Sequence, residues 1–158
     1  PYNFIKADLN DWEPDQEYDI VLASPPCNEF TEMRRTTGHY HYSERIGLDL
    51  VYRTFYLISQ IKPKFWVIEN VWGLSEFLPP PRDIVRYGFH KCDRKSLRGG
   101  SKRAYLWGNF PELGFFEESI DYVSYYSPNT TAAERVKRAE IPLALSRQLA
   151  KRMRDELC

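Results

Sequence analysis

The order of apolar and polar residues along the chain predicts alternating strands and helices. Short apolar runs, typical of strands, lie at residues 3–7, 18–23, 65–69 and 103–107. The run at 18–23 is apolar on both faces, which favours a central parallel strand. Residues 45–61 carry apolar side chains at helical spacing, and a final helix is predicted from Pro142 to about residue 154. Strands alternating with helices in this order predict an α/β sheet.

The segments between these elements are polar or broken by proline. Residues 9–17 are predicted to form a loop, and Pro79-Pro80-Pro81 forms a stiff break. The segment 28–44 shows no periodicity and is predicted to be a long loop of the kind that often covers a site. The pattern leaves 82–98 undecided and predicts irregular structure at 112–131. The residues Thr131-Ala132-Ala133-Glu134 form a capping box, which predicts the start of a further helix.

Chain length and composition predict a single folded domain over residues 1–158. No run approaches about 18 consecutive apolar residues, so no membrane span is expected. The chain has three cysteines, an odd and small number that does not suit a disulfide framework. A reducing compartment is therefore expected.

Charge is unevenly distributed although the formal net charge is zero. Residues 1–32 hold eight acids and one base, whereas residues 91–103 hold six bases and one acid. Residues 129–154 are also rich in lysine and arginine. Two interpretations stay open for the basic segments: they contact phosphates, or they are solvated surfaces. Zero net charge argues against strong non-specific binding to nucleic acid.

A cysteine stands directly after the strand at 18–23, in the segment Ser24-Pro25-Pro26-Cys27. Open α/β sheets carry their active sites at the carboxyl ends of strands. Two prolines make the backbone before the thiol rigid, and a thiolate adds readily to electron-poor carbon. Cys27 is therefore a candidate nucleophile; the alternative is a buried structural cysteine.

Polar residues also end the next apolar strand. Glu69 is a candidate acid, because burial raises the pKa of a carboxyl group; the alternative is a structural ion or hydrogen-bond partner. Asn70 has the alternative role of locking loops through hydrogen bonds to the backbone. Arg103 follows Gly99-Gly100-Ser101-Lys102 and is either a substrate contact or an exposed loop cation.

These motifs resemble the DNA cytosine-5 methyltransferase family, and most closely its short phage and mobile-element members. The segment Pro25-Pro26-Cys27-Asn28-Glu29-Phe30-Thr31 resembles the family's Pro-Cys motif, and Glu69-Asn70-Val71 its Glu-Asn-Val motif. Arg103 matches the second arginine of the family's Gln-x-Arg-x-Arg motif, whereas Gly99 and Ser101 replace its other two residues. Ala139-Glu140-Ile141-Pro142 stands in place of the family's Asn-Ala-Val-Pro. The resemblance covers nearly the whole chain.

The resemblance implies a Rossmann-like, S-adenosylmethionine-dependent methyltransferase fold and methylation of carbon 5 of cytosine in DNA. Cys27 would add to carbon 6 of a cytosine flipped out of the duplex. Glu69 would hydrogen-bond to the base at N3, and Arg103 would hold the base and lower the pKa of the Cys27 thiol. A cytoplasmic location in a prokaryotic or phage-infected cell would follow.

The resemblance also implies binding residues. Contacts to S-adenosylmethionine are expected from Asp8, Pro25 and Asn70. Contacts to DNA are expected from Pro26, Phe30, Arg34, Arg35 and Lys102. No metal is expected.

Two family features are missing from this sequence. The family's Phe-x-Gly-x-Gly turn, which holds the methionine part of the cofactor, does not occur. Only about thirty residues separate Phe110 from Pro142, too few for a target-recognition domain. We therefore expect an N-terminally incomplete domain: a fragment, a chain completed by a second chain, or a shortened inactive protein.

Three other interpretations compete with the enzyme. A non-catalytic relic or partner subunit would bind DNA without methylating it. Methylation of RNA, or of another nucleobase, is a second interpretation. Methylation of an exocyclic amino group is disfavoured, because Ser24-Pro25-Pro26-Cys27 has a thiol where methylases of that class place an aromatic ring. A zinc site built from His39, His41, His90 and Cys92 lacks a matching second ligand pair.

Overall fold

The computed structural model describes residues 5–27, 29–30, 44–90, 101–113, 119–121 and 143–157. The chain divides into two compact units, which are described separately below. The first comprises Pro1–Asp83 and Tyr105–Phe110, and the second comprises Ile84–Ala104 and Pro111–Cys158.

Seven helices and strands and one short 3-10 helix are assigned within the described residues. In chain order they are β1 (Ile20–Ala23), α1 (Glu44–Ile61), β2 (Phe65–Asn70), a 3-10 helix (Trp72–Glu76), β3 (Asp83–His90), β4 (Ser101–Asn109), β5 (Ser119–Asp121) and α2 (Leu143–Leu157). The result is a mixed α/β structure, as the sequence predicts.

The first unit contains a small mixed sheet. β1 runs parallel to β2, with Ile20 opposite Phe65 and Ala23 opposite Ile68. β2 runs antiparallel to the end of β4, with Asn70 opposite Tyr105. Among the described strands β1 has a neighbour on one side only. The predicted central position of this strand is therefore wrong for the described sheet, and the side chain of Leu22 is 53% exposed.

Helix α1 forms the crossover between the parallel strands β1 and β2. Its buried face includes Val51, Leu57 and Ile58. The ring of Phe55 meets that of Trp66 on β2 edge-on, at 5.7 Å between centroids. The helix ends where Lys62 adopts a left-handed conformation with φ of 52°, a common way for helices to terminate.

The second unit is described through β3, β5 and α2. β3 runs parallel to β5, with Gly88 opposite Ser119. Helix α2 buries Leu145, Leu149 and Met153, which follow each other at helical spacing. On the same helix, the side-chain amide of Gln148 donates to the carbonyl of Leu113 at 2.6 Å.

The structure confirms the strands predicted at 18–23, 65–69 and 103–107 and both long helices, with ends shifted by up to three residues. The strand predicted at 3–7 is wrong for its described part: residues 5–7 form no strand, and the side chain of Ile5 is 56% exposed. No strand of the described chain lies beside it to complete the hydrogen bonding that a strand needs.

The undecided segment 82–98 contains β3, and the segment predicted to be irregular contains β5. The predicted loop at 28–44 is described only at residues 29–30 and from Glu44, where α1 begins. The predicted capping box at 131–134 lies outside the described residues. No helix in the described part of the chain has the length and apolar character needed to cross a membrane.

Candidate active site

The carboxyl ends of β1 and β2 place the candidate thiol and carboxylate at one edge of the sheet. Because the two strands are parallel and Ala23 pairs with Ile68, their ends lie side by side. Cys27 is the fourth residue after the end of β1, and Glu69 is the next residue of β2 after Ile68. Cys27 is partly exposed and forms no disulfide. The two candidate catalytic residues thus stand at or just after the carboxyl ends of neighbouring parallel strands.

Asn70 ties the segment before Cys27 to the end of β2. Its side-chain amide donates to the carbonyl of Pro25 at 3.0 Å, and its side-chain oxygen accepts from the N–H of Val71 at 2.9 Å. The Asn70 side chain is 1% exposed, and Pro25 is also buried. Both functional groups of Asn70 thus bond to backbone, the loop-locking role that the sequence offered as an alternative.

The segment after Cys27 is held by close packing. The N–H of Phe30 donates to the carbonyl of Cys27 at 3.0 Å. The Phe30 ring is buried and lies 5.9 Å from the ring of Phe77. A Cβ atom at Gly73 would lie 1.9 Å from the carbonyl oxygen of Phe30. The 3-10 helix after Glu69-Asn70-Val71 therefore requires glycine at position 73 to sit against this turn.

Glu29 fixes the same turn to helix α1. Its carboxylate accepts a hydrogen bond from the backbone N–H of Gly47, in the first turn of the helix. The helix dipole favours a negative group near this end of the helix. Sequence reasoning missed this role. Its only local signal is an acidic residue beside Phe30 in the cysteine motif.

Glu69 is partly exposed on β2, between the buried residues Ile68 and Asn70. It lies opposite Leu106 of β4. Just beyond it, the Trp72 side chain is 51% exposed, and its ring lies 5.4 Å from that of Tyr105. The strand end thus presents a carboxyl group, rather than burying it in the core.

The predicted cofactor residue Asp8 stands in a tight turn. Its exposed carboxylate accepts from the N–H of Asn10 at 2.9 Å, and its carbonyl accepts from the N–H of Trp12 at 3.0 Å. Arg53 of α1 holds the turn by donating to the carbonyls of Leu9 at 3.0 Å and Trp12 at 2.7 Å. The guanidinium therefore fixes the position of the Asp8 carboxylate relative to α1. Sequence reasoning did not find Arg53.

A cavity of about 350 Å³ lies beside this turn. Its lining is mostly apolar and includes Leu9 and Trp12 from the turn, Val21 from β1 and Ile58 from α1. Tyr18 also lines it. The hydrogen bond from the Tyr18 hydroxyl to the carboxylate of Asp15, at 2.9 Å, raises the pKa of Tyr18. The volume is within the range of pockets that bind small molecules.

The structure describes the other predicted site residues only in part. Pro26 is exposed beside Cys27. In the second unit, Arg103 is an exposed residue of β4, and Lys102 precedes it on that strand. Arg34 and Arg35 lie outside the described residues.

The zinc interpretation is largely untested by the structure. Of its four candidate ligands His39, His41 and Cys92 lie outside the described residues, and only the backbone of His90 is described. Where side chains are described, no group of three or more potential ligands comes together.

Comparison with known proteins finds a match to the segment that contains Cys27 and Glu69. Residues 3–77 match the model of the C-5 cytosine-specific DNA methylase family. This segment, just under half of the chain, is therefore similar to that family. A probable DNA (cytosine-5)-methyltransferase of Frog virus 3 (isolate Goorha) is 31% identical over 104 residues, covering 58% of this chain. The match covers 46% of the viral protein, so the chain spans less than half of that relative.

Proposed function

We propose that the chain methylates carbon 5 of cytosine in DNA, with Cys27 as the nucleophile. One observation carries the proposal: the hydrogen bond from Asn70 to Pro25 joins the thiol-bearing segment to the carboxylate-bearing strand. Both lie within the segment that matches the methylase family. The mixed sheet of β1, β2 and β4 supports the proposal of a Rossmann-like domain, in which active sites lie at the carboxyl ends of parallel strands.

Cys27 supplies what carbon 5 lacks, which is electron density. Addition of the thiolate sulfur to carbon 6 forms an S–C6 bond and moves the electrons of the C5=C6 double bond onto carbon 5. Carbon 5 is then nucleophilic enough to take up an electrophilic methyl group, which S-adenosylmethionine would supply with S-adenosylhomocysteine as the leaving group. Loss of the carbon 5 proton restores the double bond and breaks the S–C6 bond, which returns the thiolate. The base must leave the duplex stack to admit this geometry.

Glu69 has the chemistry to assist this addition. A protonated carboxyl at N3 of the base donates a hydrogen bond as negative charge builds up on the ring. Its partly exposed position at the end of β2 makes it accessible to such a base. Arg103, on β4 in the second unit, stays a predicted base contact. Pro26, Phe30, Arg34, Arg35 and Lys102 stay predicted DNA contacts, and completion by a second chain stays a prediction.

The residues present fit S-adenosylmethionine, which supplies an electrophilic methyl group when bound. The exposed Asp8 carboxylate is oriented by its own turn and can accept hydrogen bonds from a ligand's hydroxyl or amino groups. The apolar cavity beside it suits the face of an adenine ring. Pro25 would form part of the wall on the side of Cys27. The amide of Asn70, already engaged with Pro25, would hold that wall in place.

DNA containing 5-fluorocytosine tests the proposal. Fluorine cannot leave carbon 5 as a proton does, so the S–C6 bond persists and the adduct survives denaturing electrophoresis. In the presence of S-adenosylmethionine we expect an adduct with the natural chain and none with Cys27→Ser. A Cys158→Ser variant is the matched control and should form the adduct normally. An adduct in Cys27→Ser would refute the mechanism, and DNA binding without any adduct would indicate a non-catalytic role.

A further inference from the structure

We propose that Glu29 is a positioning residue that holds the Cys27 thiol in place for its addition to the base. This inference rests on the proposed function above, and it concerns how the thiol is held rather than which reaction it performs. The feature behind it is the contact between the Glu29 carboxylate and the first turn of α1.

The contact is buried and joins two separate parts of the first unit. Glu29 is 9% exposed, and Gly47, which donates to its carboxylate, is also buried. Gly47 is the fourth residue of α1, close to the amino end of the helix. A carboxylate at this place accepts a hydrogen bond from the amide and also meets the positive end of the helix dipole. Glu29 therefore has a strong electrostatic reason to remain there.

The contact depends on glycine at position 47. A Cβ atom there would lie 2.2 Å from the carboxylate oxygen of Glu29 and 2.8 Å from its carboxyl carbon. Any larger residue at this position would push the carboxylate away from the helix backbone. The two residues thus form a matched pair, although 18 positions separate them.

Cys27 lies between two anchored points of the chain. On one side, Pro25 is bonded to Asn70. On the other, Glu29 is bonded to α1, and the N–H of Phe30 closes back onto the Cys27 carbonyl. Catalytic groups must be held within about 0.5 Å of productive geometry, and a misplacement of about 1 Å can lower a rate by about 100-fold. Loss of the Glu29 anchor is therefore expected to slow addition by about 10- to 100-fold.

Three variants separate positioning from stability. Glu29→Ala removes the carboxylate, and Glu29→Gln retains an oxygen acceptor for Gly47. Gly47→Ala displaces the carboxylate without changing Glu29, and alanine favours the helix more than glycine does. Ser59→Ala is the matched control: its exposed hydroxyl donates to the Tyr56 carbonyl at 2.6 Å, a bond within α1 itself.

Two measurements are made on each variant. The first is the rate of adduct formation with 5-fluorocytosine DNA, and the second is hydrogen exchange at the Phe30 amide. We expect Glu29→Ala and Gly47→Ala to form the adduct more slowly and to lose protection at Phe30, and Glu29→Gln to recover part of both. The double variant Glu29→Ala/Gly47→Ala should form the adduct no more slowly than Glu29→Ala alone. Ser59→Ala should leave the adduct rate within about twofold of the natural chain and the Phe30 amide protected.

The inference would be overturned if both Glu29→Ala and Gly47→Ala formed the adduct as fast as the natural chain and kept the Phe30 amide protected. Glu29 would then act only as a helix cap. If the natural chain forms no adduct, the proposed reaction fails, but exchange at Phe30 still decides whether Glu29 anchors the turn. If Glu29→Ala does not fold, Gly47→Ala decides the question, because it retains the carboxylate and strengthens the helix.

Discussion

Removal of the Asn70 side chain tests the link between the two halves of the site. Asn70→Ala deletes two hydrogen bonds, of 3.0 Å to Pro25 and 2.9 Å from Val71. Each such bond contributes about 1 kcal/mol net, and a buried group left without a partner costs about 1–3 kcal/mol. Because Pro25 is buried and Val71 is partly accessible to water, we expect the free energy of unfolding to fall by about 2–4 kcal/mol.

Asn70→Asp separates the contributions of the two hydrogen bonds to this loss of stability. The carboxylate can still accept from the Val71 N–H, but it cannot donate to the Pro25 carbonyl. Two oxygen atoms would then face each other across the former bond. We therefore expect this variant to lose most of the stability that Asn70→Ala loses. It should also form the 5-fluorocytosine adduct at least about tenfold more slowly, because the Cys27 segment is released from β2.

Urea denaturation of each variant measures the loss in the free energy of unfolding. Asn109→Ala is the matched control, since the Asn109 amide donates to the Lys64 carbonyl at 2.9 Å but is exposed to solvent. Water replaces that bond, so the control should lose less than about 1 kcal/mol. The reasoning is refuted if Asn70→Ala costs no more than Asn109→Ala and forms the adduct at the natural rate.

Three further predictions follow from other contacts. Gly73→Ala should lower the melting temperature and slow adduct formation, because its Cβ would meet the Phe30 carbonyl at 1.9 Å. Arg53→Ala should weaken binding of S-adenosylhomocysteine by about tenfold in calorimetry, and Arg53→Lys should not restore it, because an ammonium cannot reproduce the guanidinium fork. The hydrogen bond to Asp15 raises the pKa of Tyr18 above its ordinary value of 10.0. The stability it contributes should be complete below that value and lost as pH rises through the raised pKa.

Each of these predictions has an outcome that contradicts it. Ser75→Ala, an exposed change on the same 3-10 helix, is the control for Gly73→Ala, and equal melting temperatures would contradict the proposed clash. Unchanged affinity in Arg53→Ala would separate the Asp8 turn from cofactor binding. Tyr18→Phe should reduce the fall of the melting temperature at alkaline pH, and an identical pH profile would contradict the role of the bond to Asp15.

The sequence predicts what local patterns determine. The apolar runs before Cys27 and Glu69 predict both strands, and a proline after Lys62 marks the end of α1. Their parallel pairing places the thiol and the carboxylate at the same edge. These features depend on residues that are close together along the chain, so they can be predicted from one sequence.

Contacts between distant residues were not predictable in the same way. The bonds of Arg53 to Leu9 and of Glu29 to Gly47 join residues that are 44 and 18 positions apart, and no local pattern marks them. The exposure of β1 depends on which strands lie beside it, a property that its own apolar residues do not encode. β3 was undecided because exposed Ile84 and buried Val85 are both apolar, which hides the alternation of a strand.

The bond between Asn70 and Pro25 also has a consequence for the order of folding. It joins residues 45 positions apart, across a crossover that contains the whole of α1. Closing so long a loop costs entropy that is recovered only when the parallel strands pair, and parallel pairing is slow for this reason. We therefore expect the strand ends that carry Cys27 and Glu69 to come together late, after the helix has formed and docked. In a refolding experiment, the time at which the amides of β2 become protected from hydrogen exchange marks completion of the crossover.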